Sequence, residues 1–305
     1  MSTAATSGAA PGYGGQEPAG EATVLRMLLG AQLRRLREAA EMPAEKAGYE
    51  IRASRSKISR METGRVGLKL RDIEDLLTLY GVTGEKERDK VLSLARRSRE
   101  REWWTQYTDI LPGWFETYLG LESAATSIRS FESQFVPGLF QTEAYARAVT
   151  RLGHQTAPAE EIERRVGLRL KRQELLVRRQ PPRIWAVMDE AVLRRSIGGA
   201  PVMRAQLERL VEAARRPGVT LQVVPFARGG HAAASGSFSI LRFAERDLPD
   251  VVYLEQLTSA LYLDQRADVE HYLEVADQLS GEALPQAETA LFIQQVAQET
   301  GSAAR

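Results

Sequence analysis

The sequence predicts an α+β protein, with an N-terminal domain of five short helices followed by a larger domain that mixes helices and strands. Three observations lead there. From Thr23 to about Arg99 the apolar residues recur at three- and four-residue steps, the period of an α-helix. Beyond Pro182 the period changes, and short apolar runs bounded by Pro and Gly mark strands between further helices. Charge also divides along the chain. Residues 24–102 hold 19 Lys/Arg and 13 Asp/Glu, a net of +6, while 103–305 carry −3 and 1–23 carry −2 within a total of +1. A basic module on a mildly acidic body suits a domain that meets a polyanion and is joined to something else.

Residues 1–22 are expected to be a disordered tail. Positions 1–20 are mostly Ala, Gly, Ser, Pro and Thr and lack the apolar area that would offset ordering entropy. The first domain is read as 23–100. In its first helix Leu25, Leu29, Leu33, Leu36 and Ala40 share one face, and Arg26, Arg34, Arg35 and Arg37 occupy much of the rest. Pro43 marks the break to a second helix over about 44–51. A third covers about 55–62, with Ser54 placed as N-cap and Thr63-Gly64 as the stop. Ile73, Leu76, Leu77 and Tyr80 line a fourth helix, and a fifth runs over about 86–99.

Residues 101–300 are read as an α+β regulatory or partner-binding domain. It opens on Trp103, Trp104, Tyr107, Trp114 and Phe115, expected to be core or interdomain packing. Helices are expected at about 116–131, 142–152 and 159–179, then a strand at 183–188. Helices at about 190–195 and 202–215 follow. Strands are read at 219–225, 237–243 and 251–255, with 259–263 a candidate partner to the last. Helices at 267–279 and 285–300 close the chain.

Composition narrows the function. Hydrophobic residues at 43% and charged residues at 27% are ordinary for a globular protein. Cysteine is absent, which excludes disulfides, thiolate metal sites and a cysteine nucleophile. No apolar run approaches the roughly 18 residues of a membrane span, and no secretion leader is visible. A cytoplasmic, nucleoid-associated location is expected. His154, His231 and His271 lie far apart without metal-ligand spacing, so neither a metal nor a cofactor is expected. Asp189 and Glu190 follow a strand but lack an identifiable acid–base partner. No catalytic residue is assigned and the chain is not read as an enzyme. Gly229-Gly230 reads as a turn. The Arg-studded helix over 160–179 is interleaved with Glu and reads as an ion-paired face.

The informative segment is 44–65. The small pair Ala47-Gly48 allows a close helix crossing. Ile58 and Met61, three apart, form the inward side of the next helix. Its outward side offers Arg55, Ser56, Lys57, Ser59 and Arg60, all hydrogen-bond donors and none acidic. A helix N-terminus attracts phosphate, and a major groove accepts one helix. This is the pattern of a helix-turn-helix that binds double-stranded DNA.

Residues 51–65 closely resemble the phage-repressor/Cro-like, or Xre-type, helix-turn-helix family, and the resemblance extends over about 24–98. It implies that Ser54, Arg55, Ser56 and Arg60 sit at capping and base-reading positions. It implies that Lys57, Ser59 and Arg65 neighbour phosphates, and that Arg37 and Glu62 form a bracing ion pair. Arg52 stands where that family usually has a turn glycine. The second domain resembles the WhiJ-like or Scr1-like antitoxin-like regulators of actinobacteria. The likeness rests on Phe135 to Thr142 with Tyr145-Ala146, on Arg164-Arg165 with Arg169, Arg172 and Gln173, on Ile184-Trp185 through Glu190, and on Leu221 to Pro225. That resemblance implies a small protein partner of the BldB type. The function expected is a DNA-binding transcriptional regulator, a homodimer on an inverted-repeat operator. The alternative is an antitoxin-like interaction module whose DNA binding serves autoregulation.

Overall fold

The structure is a computed structural model that describes residues 21–99, 102–233, 235–245 and 248–302. Of the expected tail, 1–20 lie outside the described residues, and 21–22 begin the first helix. That helix, α1 (Glu21–Ala39), is followed by α2 (Ala44–Glu50), α3 (Arg55–Glu62), α4 (Leu70–Leu79) and α5 (Glu85–Arg97). Leu29, Leu33, Ile58, Met61, Ile73, Leu77 and Val91 close into one core and are almost wholly removed from water. Each such side chain contributes about 1.5–3 kcal/mol by burial.

Helix α1 has two buried sides. Leu29 and Leu33 are buried in the five-helix core with Leu36 and Ala40 packed against it, as the periodicity predicts. Met27 instead belongs to the core of the second domain, with Val24 and Leu28 packed against it. This second face was not legible among the arginines. It makes α1 a shared element that carries the first five helices on the rest of the chain.

The second part is built on a six-stranded sheet ordered β3-β2-β1-β4-β5-β6. Its strands are β1 (Ser127–Glu132), β2 (Arg183–Asp189), β3 (Val219–Val224), β4 (Phe238–Arg242), β5 (Val251–Glu255) and β6 (Ala260–Leu263). The first three run parallel, with Ile128 opposite Ile184 and Trp185 opposite Thr220. The last three are antiparallel, joined to β1 through Phe131 opposite Phe238. Helix α6 (Gly113–Ala124) precedes β1, and between the strands lie α7 (Glu143–Gly153), α8 (Ala159–Arg172), α9 (Glu190–Arg194) and α10 (Ala200–Ala213). Helices α11 (Arg266–Glu282) and α12 (Gln286–Ser302) follow the sheet. Ile184, Ala186 and Met188 face one core with residues of α6, α7, α10 and α12. Phe131, Val187 and Val252 face the other, covered by Val269, Ala276 and Leu279 of α11.

The helix expected over 116–131 is corrected. It ends at Ala124, Ala125 turns extended, and Ser127–Glu132 is the central strand β1. Both faces of β1 are covered, so apolar alternation is lost. Ile128 and Phe131 lie three apart and point to opposite cores, which in sequence mimics a helical step. The helix expected over 159–179 stops at Arg172 and continues only as a 3-10 turn over Gln173–Leu176. Among the described residues no helix is long and apolar enough to cross a membrane.

Candidate nucleic-acid interface

The turn between α2 and α3 is set by three residues. A Cβ on Gly48 would lie 2.8 Å from the carbonyl oxygen of Ala53, so only glycine permits this approach. Arg52 occupies the left-handed region at φ +53°, where the related pattern has glycine. That conformation costs a non-glycine residue about 1–2 kcal/mol. The amides of Arg52 and Ala53 donate to the carbonyls of Tyr49 and Gly48 at 3.0 and 2.7 Å, and these bonds hold the strained turn.

Ser54 then starts α3. Its backbone is extended, and its Oγ accepts from the Lys57 amide at 3.1 Å. Ile58 and Met61 are buried beneath the helix. Arg55, Ser56, Ser59 and Arg60 are exposed on the outside. Arg55 has no hydrogen bond or ion pair among the described residues, and Arg60 makes one long bond, 3.4 Å, to the Ser56 carbonyl. These four side chains stand together on one surface.

Two residues read as phosphate neighbours are placed otherwise. Lys57 leans sideways and its Nζ lies 2.9 Å from Oδ2 of Asp72, in the first turn of α4. This bridge brings the N-terminus of α4 beside α3, where Lys69 and Arg71 are exposed. Neither was singled out in the sequence, because the bridge that joins α3 to α4 spans 15 positions. Tyr49, near the end of α2, is 81% exposed.

Arg65 departs further. Its Nη2 donates to the Tyr262 carbonyl at 2.7 Å and lies 3.4 Å from Oδ2 of Asp264. Its guanidinium also lies 5.4 Å from the Tyr262 ring centroid. Burial holds its pKa below the usual range, opposed by the Asp264 carboxylate. Arg65 therefore clasps the sheet edge. Beside it, Gly64 adopts φ +69° where a Cβ would lie 2.7 Å from Cα of Met27, so the end of α3 presses directly on α1.

Arg37 and Glu62 do form the brace. Nε and Nη2 of Arg37 donate to the two Glu62 oxygens at 2.5 and 3.1 Å, and Nη1 donates to the Met42 carbonyl at 2.8 Å. The side chains are 14% and 8% exposed. The hydrogen bonds to Glu62 raise the Arg37 pKa against the opposing effect of burial. One guanidinium thus ties the end of α1, the following loop and the end of α3.

In the second domain, Trp104 is buried with Leu119 and Leu168, and Trp103 meets it edge-on. The basic helix α8 is largely ion-paired. Arg164 forks onto Asp109, Arg165 pairs with Glu161, and Arg147 of α7 pairs with Glu163. Arg172 is ion-paired too, but inside the fold rather than on the helix face. It is buried and holds Glu122 through bonds of 2.8 and 2.7 Å. Burial opposes its charge, and Glu122 overrides that to raise its pKa. Nearby, burial pushes the Glu132 carboxyl up to about 7 and the Arg169 guanidinium down to about 10. Asp189 caps α9 through the Ala191 amide, and Glu190 accepts from the Phe226 amide and from Arg194. Gly229 closes a turn onto the Phe226 carbonyl. Among the described residues no group of three or more His, Asp or Glu has metal-holding geometry.

The bihelical geometry and the exposed α3 surface define a helix-turn-helix, DNA-binding regulator. Residues 28–91 match the family described as a helix-turn-helix domain. Residues 115–295 match the family described as a domain of unknown function, DUF5753, and the chain belongs to that family. No curated protein and no solved structure matches the chain.

Proposed function

We propose that this chain is a sequence-specific transcriptional regulator of the Xre type that inserts α3 into the major groove. The observation that carries the reading is the outward side of α3. Arg55, Ser56, Ser59 and Arg60 are exposed donors on a helix anchored from behind by Ile58 and Met61. Arginine reads guanine through two parallel hydrogen bonds, and serine adapts to several bases. Lys69, Arg71 and the free amides at the start of α4 supply phosphate contacts that fix register. Residues 23–100 make up this reading domain, and 101–300 the regulatory domain, WhiJ-like or Scr1-like in kind. Such a protein works on the nucleoid in the cytoplasm. We assign it no reaction, since Asp189 and Glu190 are occupied in holding α9 and the following turn.

One module contacts too little DNA for high specificity. The reading therefore includes a homodimer on an inverted repeat with half-sites about one or two helical turns apart. Arg55→Ala is expected to cost about 1–3 kcal/mol on the cognate site and to relax preference at one base. Genome-wide footprinting of wild type beside Arg55→Ala tests this. Equal loss on cognate and random DNA assigns Arg55 to phosphate, and a single isolated half-site refutes the dimer.

A second reading is an antitoxin-like module that holds a small BldB-type protein. It is favoured by the sheet edge, where β6 is paired with β5 on one side, Arg65 occupies only the Tyr262 carbonyl on the other, and Leu257 and Leu261 are solvent-exposed. An unpaired edge strand recruits another chain through its free backbone groups. A stoichiometric partner captured from native lysate that survives nuclease digestion supports this reading. Its release on digestion refutes it.

A further inference from the structure

A cavity of about 360 Å³ lies between the two parts of the chain. Its walls come from α1, from the segment following α3, from α6, and from residues 248–251 that lead into β5. The volume is in the range of small-molecule sites, about 300–1,000 Å³, and junctions between domains are where such sites concentrate.

The lining has an apolar part and a charged part. Met27, Val66, Leu121, Leu248 and Val251 provide the first. Three arginines and four carboxylates provide the second, which leaves one excess negative charge.

Six of these seven groups are engaged. Arg26 donates to Oγ1 of Thr23 at 2.6 Å and to the Ser98 carbonyl. Glu102 accepts from the Thr23 amide. Arg34 pairs with Glu38, Glu62 with Arg37, and Arg65 with Asp264. The seventh, Glu116, has no hydrogen bond or ion pair among the described residues. It stands in the first turn of α6, half-buried at the cavity wall. The helix dipole favours a carboxylate there but supplies no donor to its oxygens. Partial removal from water raises its pKa, with no charge partner to offset the cost. Its oxygens face the cavity solvent and have no protein donor, so a cation entering the cavity meets an unpaired carboxylate.

We infer that this cavity binds a small organic cation, an amine on a compact apolar body, whose ammonium pairs with Glu116 while the body rests on Met27, Leu121 and Leu248. An anion is disfavoured because the excess charge is negative, Arg34 and Arg65 already hold carboxylates, and Arg26 is hydrogen-bonded to Thr23 and Ser98. The inference rests on the cavity and not on the DNA reading. Amine binding by a chain that fails to bind any duplex refutes that reading and leaves this one standing.

The test is calorimetric titration of the full chain with 2-phenylethylamine and tryptamine. The matched acids, 3-phenylpropanoate and indole-3-propanoate, are run beside them. At least one amine is expected to bind about tenfold or more tightly than its matched acid, which is about 1.4 kcal/mol of preference. Glu116→Gln is expected to weaken that amine by about tenfold, since it removes the charge and no internal contact. Ala31→Phe, which fills the cavity from α1, is expected to abolish binding. No binding by either amine, equal binding of amine and acid, or undiminished binding to Glu116→Gln each overturns the inference. Should Ala31→Phe fail to fold, the Glu116→Gln comparison still decides.

Discussion

Replacing Arg65 by alanine separates two roles for one guanidinium. The Xre-type resemblance places it near phosphate, and the structure binds it to Tyr262 and Asp264. The charge-assisted bond to the Tyr262 carbonyl is worth about 1.5–3 kcal/mol. The contact with the Tyr262 ring adds about 0.5–1 kcal/mol. The ion pair at 3.4 Å, with side chains 26% and 22% exposed, adds at most about 1 kcal/mol. Desolvation of the guanidinium offsets part of this, as its lowered pKa indicates. A net loss of about 2 kcal/mol is expected on Arg65→Ala. Urea unfolding followed by tryptophan fluorescence measures it, with Trp114 reporting from the joint because its carbonyl accepts from the Tyr262 hydroxyl. The second measurement is the salt dependence of DNA binding. A lysine or arginine on a phosphate contributes about 0.9 to the slope of log affinity against log salt. Arg65→Ala should leave that slope unchanged. A slope reduced by about 0.9 with stability intact would falsify the clasp and return Arg65 to the backbone of the DNA.

Glu62→Gln removes the close charged partner of Arg37, leaving Glu38 at 3.7 Å, and should destabilise the fold by about 1.5–3 kcal/mol. Replacing both residues by methionine should recover most of that in urea unfolding, and a double replacement as costly as the single one contradicts a simple brace. Arg52→Gly relieves the left-handed backbone and should stabilise the fold by about 1 kcal/mol, less the entropy glycine loses on folding. A lowered melting temperature would show that Arg52 makes a compensating contact. Glu132 holds its proton more tightly when folded, at about 7 against 4.5. Its contribution is therefore full below pH 4.5 and is lost as pH rises to about 7, an effect of about 3 kcal/mol. Glu132→Gln should flatten this part of the profile of unfolding free energy against pH. A variant with the wild-type pH profile rules out the raised carboxyl.

The reading helix was legible because its signals are local. The cap at Ser54, the inward pair Ile58 and Met61, and the stop at Thr63-Gly64 all act within a few residues, and the observed helix spans Arg55–Glu62. The need for a positive φ at position 52 was legible for the same reason, as a departure from a turn pattern. The strands from β2 onward were visible because turns bound short apolar runs. By contrast β1 was hidden, since a strand buried on both faces carries no alternation.

The sequence by itself determined the class of the first five helices, the exposure of Arg55, Ser56, Ser59 and Arg60 on α3, and, through the Xre-type resemblance, the Arg37–Glu62 brace. These follow from capping, periodicity and a recognisable motif. Only the tertiary structure decided what Arg65, Lys57, Arg172 and Met27 do. Arg65 meets a carbonyl 197 positions away and Arg172 a carboxylate 50 positions away. A charged side chain carries no local mark of its partner, because Coulomb and hydrogen-bond energies depend on distance in space and not on distance along the chain. The same reason hid the shared second face of α1, which settles how the DNA-reading helices are held on the larger domain.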